Sequence, residues 1–242
     1  MKKFVRHSGL SDLFAAAPCL AVIAMLWAFF GNAKLLRADI DMQAGVGYSA
    51  LGTLDAEPEC NVKATPLTLG VNFEGKINKQ NRYMLGVAFQ HQFISYVQDS
   101  GNFSGSNLLV GVGLGWNLMN LQSGFVRLEG FYYPYNILTV TSESKATVND
   151  VEYSHSTLTT LTGPGATEVR LAYIIEQKGG QFNKYERLRY GLLISQLMQP
   201  FTKSEVRIAT SNSAITPRTK VKTEIEQTLT LTSVFLVAGF AF

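Results

Sequence analysis

The 242-residue sequence is poor in the residues that most often carry chemistry or crosslinks: it holds two cysteines and three histidines, and 16% of it is charged. His7, His91 and His155 are scattered and Cys60 stands far from Cys19, so no metal-ligand spacing is present and no metal is expected. Neither sign of charge dominates. The formal net charge is +3, and setting aside Lys2, Lys3, Arg6 and Asp12 leaves 18 basic and 17 acidic residues, which excludes the basic patch of a nucleic-acid binder. Mean hydropathy is only +0.09, too low for a bundle of membrane helices, and no long amphipathic helical pattern follows Ala38. The composition is neither disordered nor collagen-like.

What is there begins with a leader. Lys2, Lys3 and Arg6 form a positive start, residues 13–33 carry no charge, and Gly31-Asn32-Ala33 supplies the small residues that a signal peptidase reads. Residues 1–33 are therefore expected to be a cleaved signal peptide, with Leu36-Arg37-Ala38 as the second candidate site. The alternative is a retained transmembrane helix, since roughly 20 apolar residues span a bilayer; Pro18 and the small-residue exit favour removal. Cys19 is followed by further apolar residues and makes a poor lipoprotein start. Cleavage leaves Cys60 alone, and a lone cysteine forms no internal disulfide.

Residues 39–242 contain eight segments of period-two alternation. They are Asp39 to Leu51, Ala64 to Ile77, Arg82 to Val97, Leu108 to Leu118, Phe125 to Thr141, Thr167 to Glu176, Tyr185 to Met198, and the last stretch from Gln227 to Phe242. In the last, Val234, Leu236, Ala238, Phe240 and Phe242 form one wholly apolar face, opposed by Val237, Gly239 and Ala241. Connections alternate between short (Asn78 to Asn81, Met119 to Gly124, Gln177 to Lys184) and long (Gly52 to Lys63, Gln98 to Asn107, Ser142 to Ala166, Gln199 to Glu224). This predicts an all-β fold, an eight-stranded antiparallel up-and-down β-barrel whose last strand pairs with Asp39 to Leu51.

Alternation alone does not separate a transmembrane barrel from a soluble lipocalin-like barrel with the apolar face inward. The opposite face decides. It carries Asp39, Asp41, Glu74, Arg127, Glu129, Glu168, Arg170, Glu176, Arg187 and Arg189, interspersed with glycine. Glycine at alternate strand positions is costly on a soluble exterior, whereas inside a narrow barrel it makes room for Arg and Glu side chains crossing the lumen. The ten charges are therefore expected to line the lumen as a paired network, and the apolar residues to face lipid. Gly111-Val112-Gly113-Leu114-Gly115 reads the same way, as lumen clearance: no helix follows to aim amide groups at a phosphate, and no cofactor is expected. Tyr83, Trp116, Phe125, Phe182, Tyr185, Phe240 and Phe242 sit beside the short turns as one aromatic girdle; Tyr48, Phe93, Tyr96, Tyr132, Tyr133 and Tyr135 are expected in the other.

With its leader, eight alternating segments, loop asymmetry and terminal Gly239-Phe240-Ala241-Phe242, the chain resembles the small outer-membrane β-barrels of Gram-negative bacteria. That group contains the OmpA membrane domain, OmpX and OmpW. The resemblance covers Asp39 to Phe242 and implies residence in the bacterial outer membrane, short turns and both termini on the periplasmic side, and Gly239, Phe240 and Phe242 as a signal for the barrel-assembly machinery. It implies three readings of function. The first is a non-enzymatic structural or surface-interacting barrel, porin-like in fold but with a lumen too full for general porin activity. The second is an OmpW-like narrow channel for small or hydrophobic solutes, and the third a lipid A acyl-modifying enzyme.

For the enzyme reading, His155-Ser156-Thr157 is the His-hydroxyl cluster of the mature chain, with Glu152 and Glu168 the nearest acids in sequence. Its plainer reading is a polar, Ser/Thr-rich loop. Thr139 to Val148 and Val151 to Leu161 keep a β pattern around Asn149-Asp150, as do Glu205 to Ala209 and Lys220 to Ile225 around Ser211-Asn212-Ser213. These hairpins are expected to extend the sheet above the membrane and to offer an edge for a surface ligand. Lys203, Arg207, Arg218, Lys220 and Lys222 are expected to meet outer-membrane lipid and the phosphates of lipopolysaccharide.

Overall fold

The computed structural model describes residues 39–55, 60–76, 82–98, 101–148, 151–178, 187–210 and 219–242. The leader and its cleavage sites, the turn Asn78 to Asn81, Phe182, Tyr185, Asn149-Asp150, Ser211 to Ser213 and Arg218 lie outside the described residues.

Nine β segments are present: β1 Asp39–Leu54, β2 Cys60–Lys76, β3 Arg82–Gln98, β4 Gly101–Leu121, β5 Gly124–Val148, β6 Val151–Thr162, β7 Ala166–Lys178, β8 Arg187–Thr210 and β9 Thr219–Ala241. All pair antiparallel, and β1 is joined to both β2 and β9, so the sheet closes on itself. β6 and β7 share the same two neighbours, β5 and β8. They are the two halves of one strand position, interrupted at Gly163-Pro164-Gly165. The barrel is thus eight strands round, as the alternation predicts.

The strands are staggered. Stepping through paired residues from Asp41 leads to Asn72, Gly86, Gly113, Phe131, Glu168, Leu197, Leu231 and then Gly52, well up the strand from the start. Such a stagger tilts every strand against the barrel axis and sets a bore that side chains can fill. At the other closure of the chain, the Phe242 amide donates to Ile40 O at 2.9 Å and the Ile40 amide to Phe242 O at 3.2 Å. The terminal strand is therefore paired with β1 from Leu229 to its end.

The strands run farther than the eight segments of the sequence. β3 and β4 continue to Gln98 and from Gly101, β1 and β2 to Leu54 and from Cys60, and β5, β6, β8 and β9 continue through the two predicted hairpins. Much of what reads as long loop is thus sheet. The alternation hides this because it changes phase midway. On β5, Tyr133 and Asn136 are both buried; on β6 and β7, Leu161 and Ala166 are; on β8, Gln199 and Phe201 point inward before an irregularity between Phe201 and Lys203. Pro134, Pro164 and Pro200 all sit in this zone, and proline gives the sheet ladder no amide hydrogen. Gly165 has φ of 150°, a conformation open to glycine and costly for other residues.

Candidate functional site

Outward and inward faces differ as in a protein turned inside out. Leu114 is 68% exposed, Leu236 65% and Phe242 51%, along with Trp116, Val234, Phe240 and the alternate residues of each strand, while Arg127, Arg189, Glu168 and Asp41 are at most 1% exposed. Three predicted girdle residues belong inside. Phe125 and Tyr133 are buried in the lumen and Tyr96 stacks on Phe103 against the inner core, because each shares strand parity with inward neighbours. Tyr48, Phe93, Tyr132 and Tyr135 face outward.

The interior has three levels. The lowest is ionic. Arg127 donates to Glu74 through Nη1 at 2.5 Å and to Glu129 through Nε at 2.7 Å. From the far wall, Arg189 reaches the same Glu74 bidentately at 2.7 and 2.9 Å, and Glu176 at 2.8 Å. Asp41 lies 3.2 Å from Arg189 and accepts from Gln43 at 2.8 Å. Both guanidiniums stand 5.2 Å from the ring of Phe125, which places a cation on an aromatic face in a dry site. At the lower rim, half-buried Arg187 bridges Asp39 at 2.8 Å and Glu176 at 3.3 Å.

A second ionic group lies beside the first. Arg170 donates to Glu168 at 2.8 Å and to the Tyr133 hydroxyl at 2.6 Å, and that hydroxyl donates to Glu168 at 2.6 Å. The Phe131 ring lies 4.2 Å from the guanidinium carbon. Arg170 pairs with Glu129 in the strand ladder, so the two groups adjoin. Together they set six carboxylates around four guanidiniums, and most pairs are kept by hydrogen bonds as well as charge, which buried ions require; Asp41 takes its hydrogen bonds from Gln43 and Asn72. Satisfaction is incomplete: Arg127 Nη2, Arg170 Nε, Asp41 Oδ1 and Glu168 Oε1 find no hydrogen-bond partner among the described residues.

Glycine makes the room. A Cβ at Gly113 would strike the Phe131 ring and one at Gly111 the Tyr133 ring and Tyr132 O, while at Gly115 it would press on Met84, Arg127 and Glu129.

Above the ions sits an amide cluster. Asn107 and Gln199 exchange hydrogen bonds at 2.6 and 3.1 Å, Asn107 donates to Gln92 at 2.9 Å, and Gln199 to Asn136 at 3.2 Å. The topmost level is an apolar core that includes Leu54, Val62, Ile94, Leu109, Leu138, Val140, Leu161, Phe201, Leu229 and Leu231. Gln92 is inward by alternation, but the joining of Asn107, Asn136 and Gln199 depends on register and on the phase change, which composition does not disclose.

His155 lies on β6, paired with Ser144 and Thr210, and its side chain is outside the described residues. Glu168, one of its two candidate acids, lies well down the same course, held by Arg170 and Tyr133. Among the described residues no group of His, Cys, Asp and Glu has the arrangement of a metal site. Gly239 points inward, close to the backbone of Met42 and Gln43, and Phe240 and Phe242, which follow it, face outward on either side of inward Ala241.

No family model and no curated protein matches the chain. Among solved structures it is similar to the outer-membrane protease OmpT from Escherichia coli, at 8% identity, TM-score 0.39, covering 85% of this chain and 95% of that one. It is also similar to the outer-membrane protein AlkL (12%, 0.39, 86% and 91%) and to OprG from Pseudomonas aeruginosa (11%, 0.33, 84% and 96%). Its own residues carry the conclusion. A sheet can cross lipid only if it closes and leaves no edge, and in such barrels the apolar band faces out and the polar residues in. This chain is a β-barrel of the kind that spans the bacterial outer membrane.

Proposed function

We propose that the protein serves as a non-enzymatic structural or surface-interacting barrel, anchored by its outward band and presenting the extended β5–β6 and β8–β9 sheet beyond the membrane. One observation supports this reading: the bore is occupied at all three levels, by crossing ion pairs, by reciprocal amides and by an apolar core with Phe201 and Leu231 at most 1% exposed. Planar-bilayer recording tests it. Absence of stable single-channel steps is the expected result, and reproducible steps would overturn it. Residues 1–33 serve as the signal peptide in this reading, and the terminal Phe242 as the contact for the barrel-assembly machinery. Deleting Phe242 is expected to lower membrane yield severalfold while any product that inserts keeps its fold; unchanged yield would remove that role.

A second reading, a narrow route for small or hydrophobic solutes, draws support from the interruption at Gly163–Gly165. Tyr132 covers it from outside, its hydroxyl donating to Pro164 O at 3.0 Å, and the amide cluster lies behind. If the wall opens there, Tyr132→Ala raises uptake of a hydrophobic dye into proteoliposomes. For the enzyme reading, His155→Ala is expected to leave the lipid A mass spectrum unchanged.

A further inference from the structure

Above the zone of Pro134, Pro164 and Pro200 the two faces of the wall exchange character. Below it the outward face is apolar and the inward face ionic. Above it, Ser204 is opposite Leu161 of the inner core, so its neighbours by alternation on β8 and their partners on β9 point away from the bore: Lys203, Glu205, Arg207, Lys220, Lys222 and Glu224. The inward rows of β5, β6, β8 and β9 carry no charge among the described side chains. Val140, Thr159, Val206 and Val221 form one row, and Ser142, Thr157 and Ile208 belong to the next. The first row starts inside the closed core and ends in the open, with Val140 2% exposed and Val221 46%; in the second, Ile208 is 37% exposed. They are open because the wall is one-sided. Leu54 pairs with Leu229 and the Asp55 amide donates to Thr228 O at 2.9 Å, after which β9 pairs with β8 alone among the described residues. β3 and β4 close at Gln98 and Gly101, whereas β5 and β6 pair as far as Val148 and Val151. A wall of four strands thus stands over one side of the mouth, with a charged back and an uncharged, β-branched front turned over the bore.

One charged face and one uncharged, β-branched face is the pattern of a sheet that packs on another sheet. Acyl chains do not cover this front, since the back of the same rows carries lysine and glutamate and so stands beyond the apolar band. A charged partner would bury its charge against Val206, Ile208 and Val221 with nothing to pair it. A second copy brings the same uncharged front, so neither side buries a charge, and a two-fold contact of this kind is self-complementary. Two barrels in one membrane stand side by side, and neither wall can come over the other's mouth. Copies in facing membranes can do so. We propose that the front of this wall binds the front of the same wall on a second copy of the chain in an opposed membrane, each wall filling the side of the mouth that the other leaves open. The inference rests on the surface-interacting reading and names the partner and the face.

Energy transfer between two populations of phosphatidylcholine vesicles tests this, both bearing the full-length protein, one with a donor and the other with an acceptor lipid dye. Transfer is expected when both populations carry the protein, and it should survive about 1 M salt, which screens exposed charge pairs. Val206→Lys/Val221→Lys is expected to lower it at least about tenfold, because the contact then buries unpaired cations. Lys203→Gln/Lys222→Gln, on the charged back, should leave it unchanged. Vesicles bearing Val206→Asp/Val221→Asp should dock to those bearing Val206→Lys/Val221→Lys more than either does to its own kind, a recovery that misfolded variants could not give. Docking to protein-free vesicles, loss of transfer in salt, or undiminished transfer by Val206→Lys/Val221→Lys would each overturn the proposal. Heat-modifiable gel migration of the same samples reports the barrel separately: a shifted band without docking of the unaltered protein would sink only the contact between copies, whereas reproducible channel steps in planar bilayers would sink the reading on which it rests.

Discussion

The two ends of the bore are built by the same strands with the same inward geometry, yet one is ionic and the other is greasy. Below, Arg127, Arg189 and Arg170 are wrapped by carboxylates; above, Leu109, Leu138, Phe201 and Leu231 meet as in the core of a soluble protein. The difference teaches where each half gets its order. Apolar packing is non-directional and tolerates exchange of shape at constant volume. A buried guanidinium is bound by direction and charge, and its partners become expensive when it leaves. The lower bore should therefore be brittle and the upper one forgiving.

The largest expected effect tests brittleness directly. Arg127→Ala removes the group shared by Glu74 and Glu129 and strands carboxylates already in excess of guanidiniums, so a loss of about 3–5 kcal/mol is expected. Urea unfolding of the barrel in lipid vesicles measures it, and a loss below about 1 kcal/mol would show that the network is dispensable. Next comes the outer wall. Leu114→Arg, at a position 68% exposed, would be near neutral on a protein in water but should cost about 2–4 kcal/mol at mid-depth in lipid. A neutral outcome in the same vesicles would break the inside-out reading itself.

The comparison sharpens with conservative exchanges. Arg127→Lys keeps the charge but loses the planar fork that serves Glu74 through Nη1 and Glu129 through Nε, and is expected to retain less than half of the stability that alanine forfeits. Leu231→Met in the upper core should cost less than about 1.5 kcal/mol. Were the upper exchange the more damaging of the two, the assignment of brittleness to the ionic end would be wrong.

The lower half was the more legible in the sequence. Strict alternation from Phe125 to Phe131 places Arg127 and Glu129 inward and Val126 and Leu128 outward, and the same rule places all ten predicted charges on the inner side. The upper half resisted because its parity shifts. Tyr133 and Asn136 both point inward, three residues apart, across Pro134, so an alternation carried upward from Arg127 would give the wrong face beyond it. Polar composition added to this: Asn, Ser and Gly from Asn102 to Ser106 look like a loop, but the stretch pairs with β3 and β5. The two ionic groups could be listed from sequence but not joined, since the meeting of Arg189 with Glu74 across the bore depends on the stagger. Phe125, beside a short turn, and Tyr133, in the middle of β5, are both aromatic and fit a girdle by type, but parity puts them among the ions.

The smallest expected effect lies at the boundary between the two halves. The Tyr132 ring packs over Gly165, where a Cβ would touch it, and its hydroxyl donates to Pro164 O. Tyr132→Phe keeps the cover and deletes one partly solvated hydrogen bond, which should cost about 0.5–1.5 kcal/mol. Its effect should also be local. Hydrogen exchange is expected to rise at the β5 and β8 amides flanking the interruption and to stay unchanged beside Arg127 and Glu74. If protection falls equally at the ionic end, the zone of Pro134, Pro164 and Pro200 does not separate two independently ordered halves, and the bore must be treated as one cooperative plug.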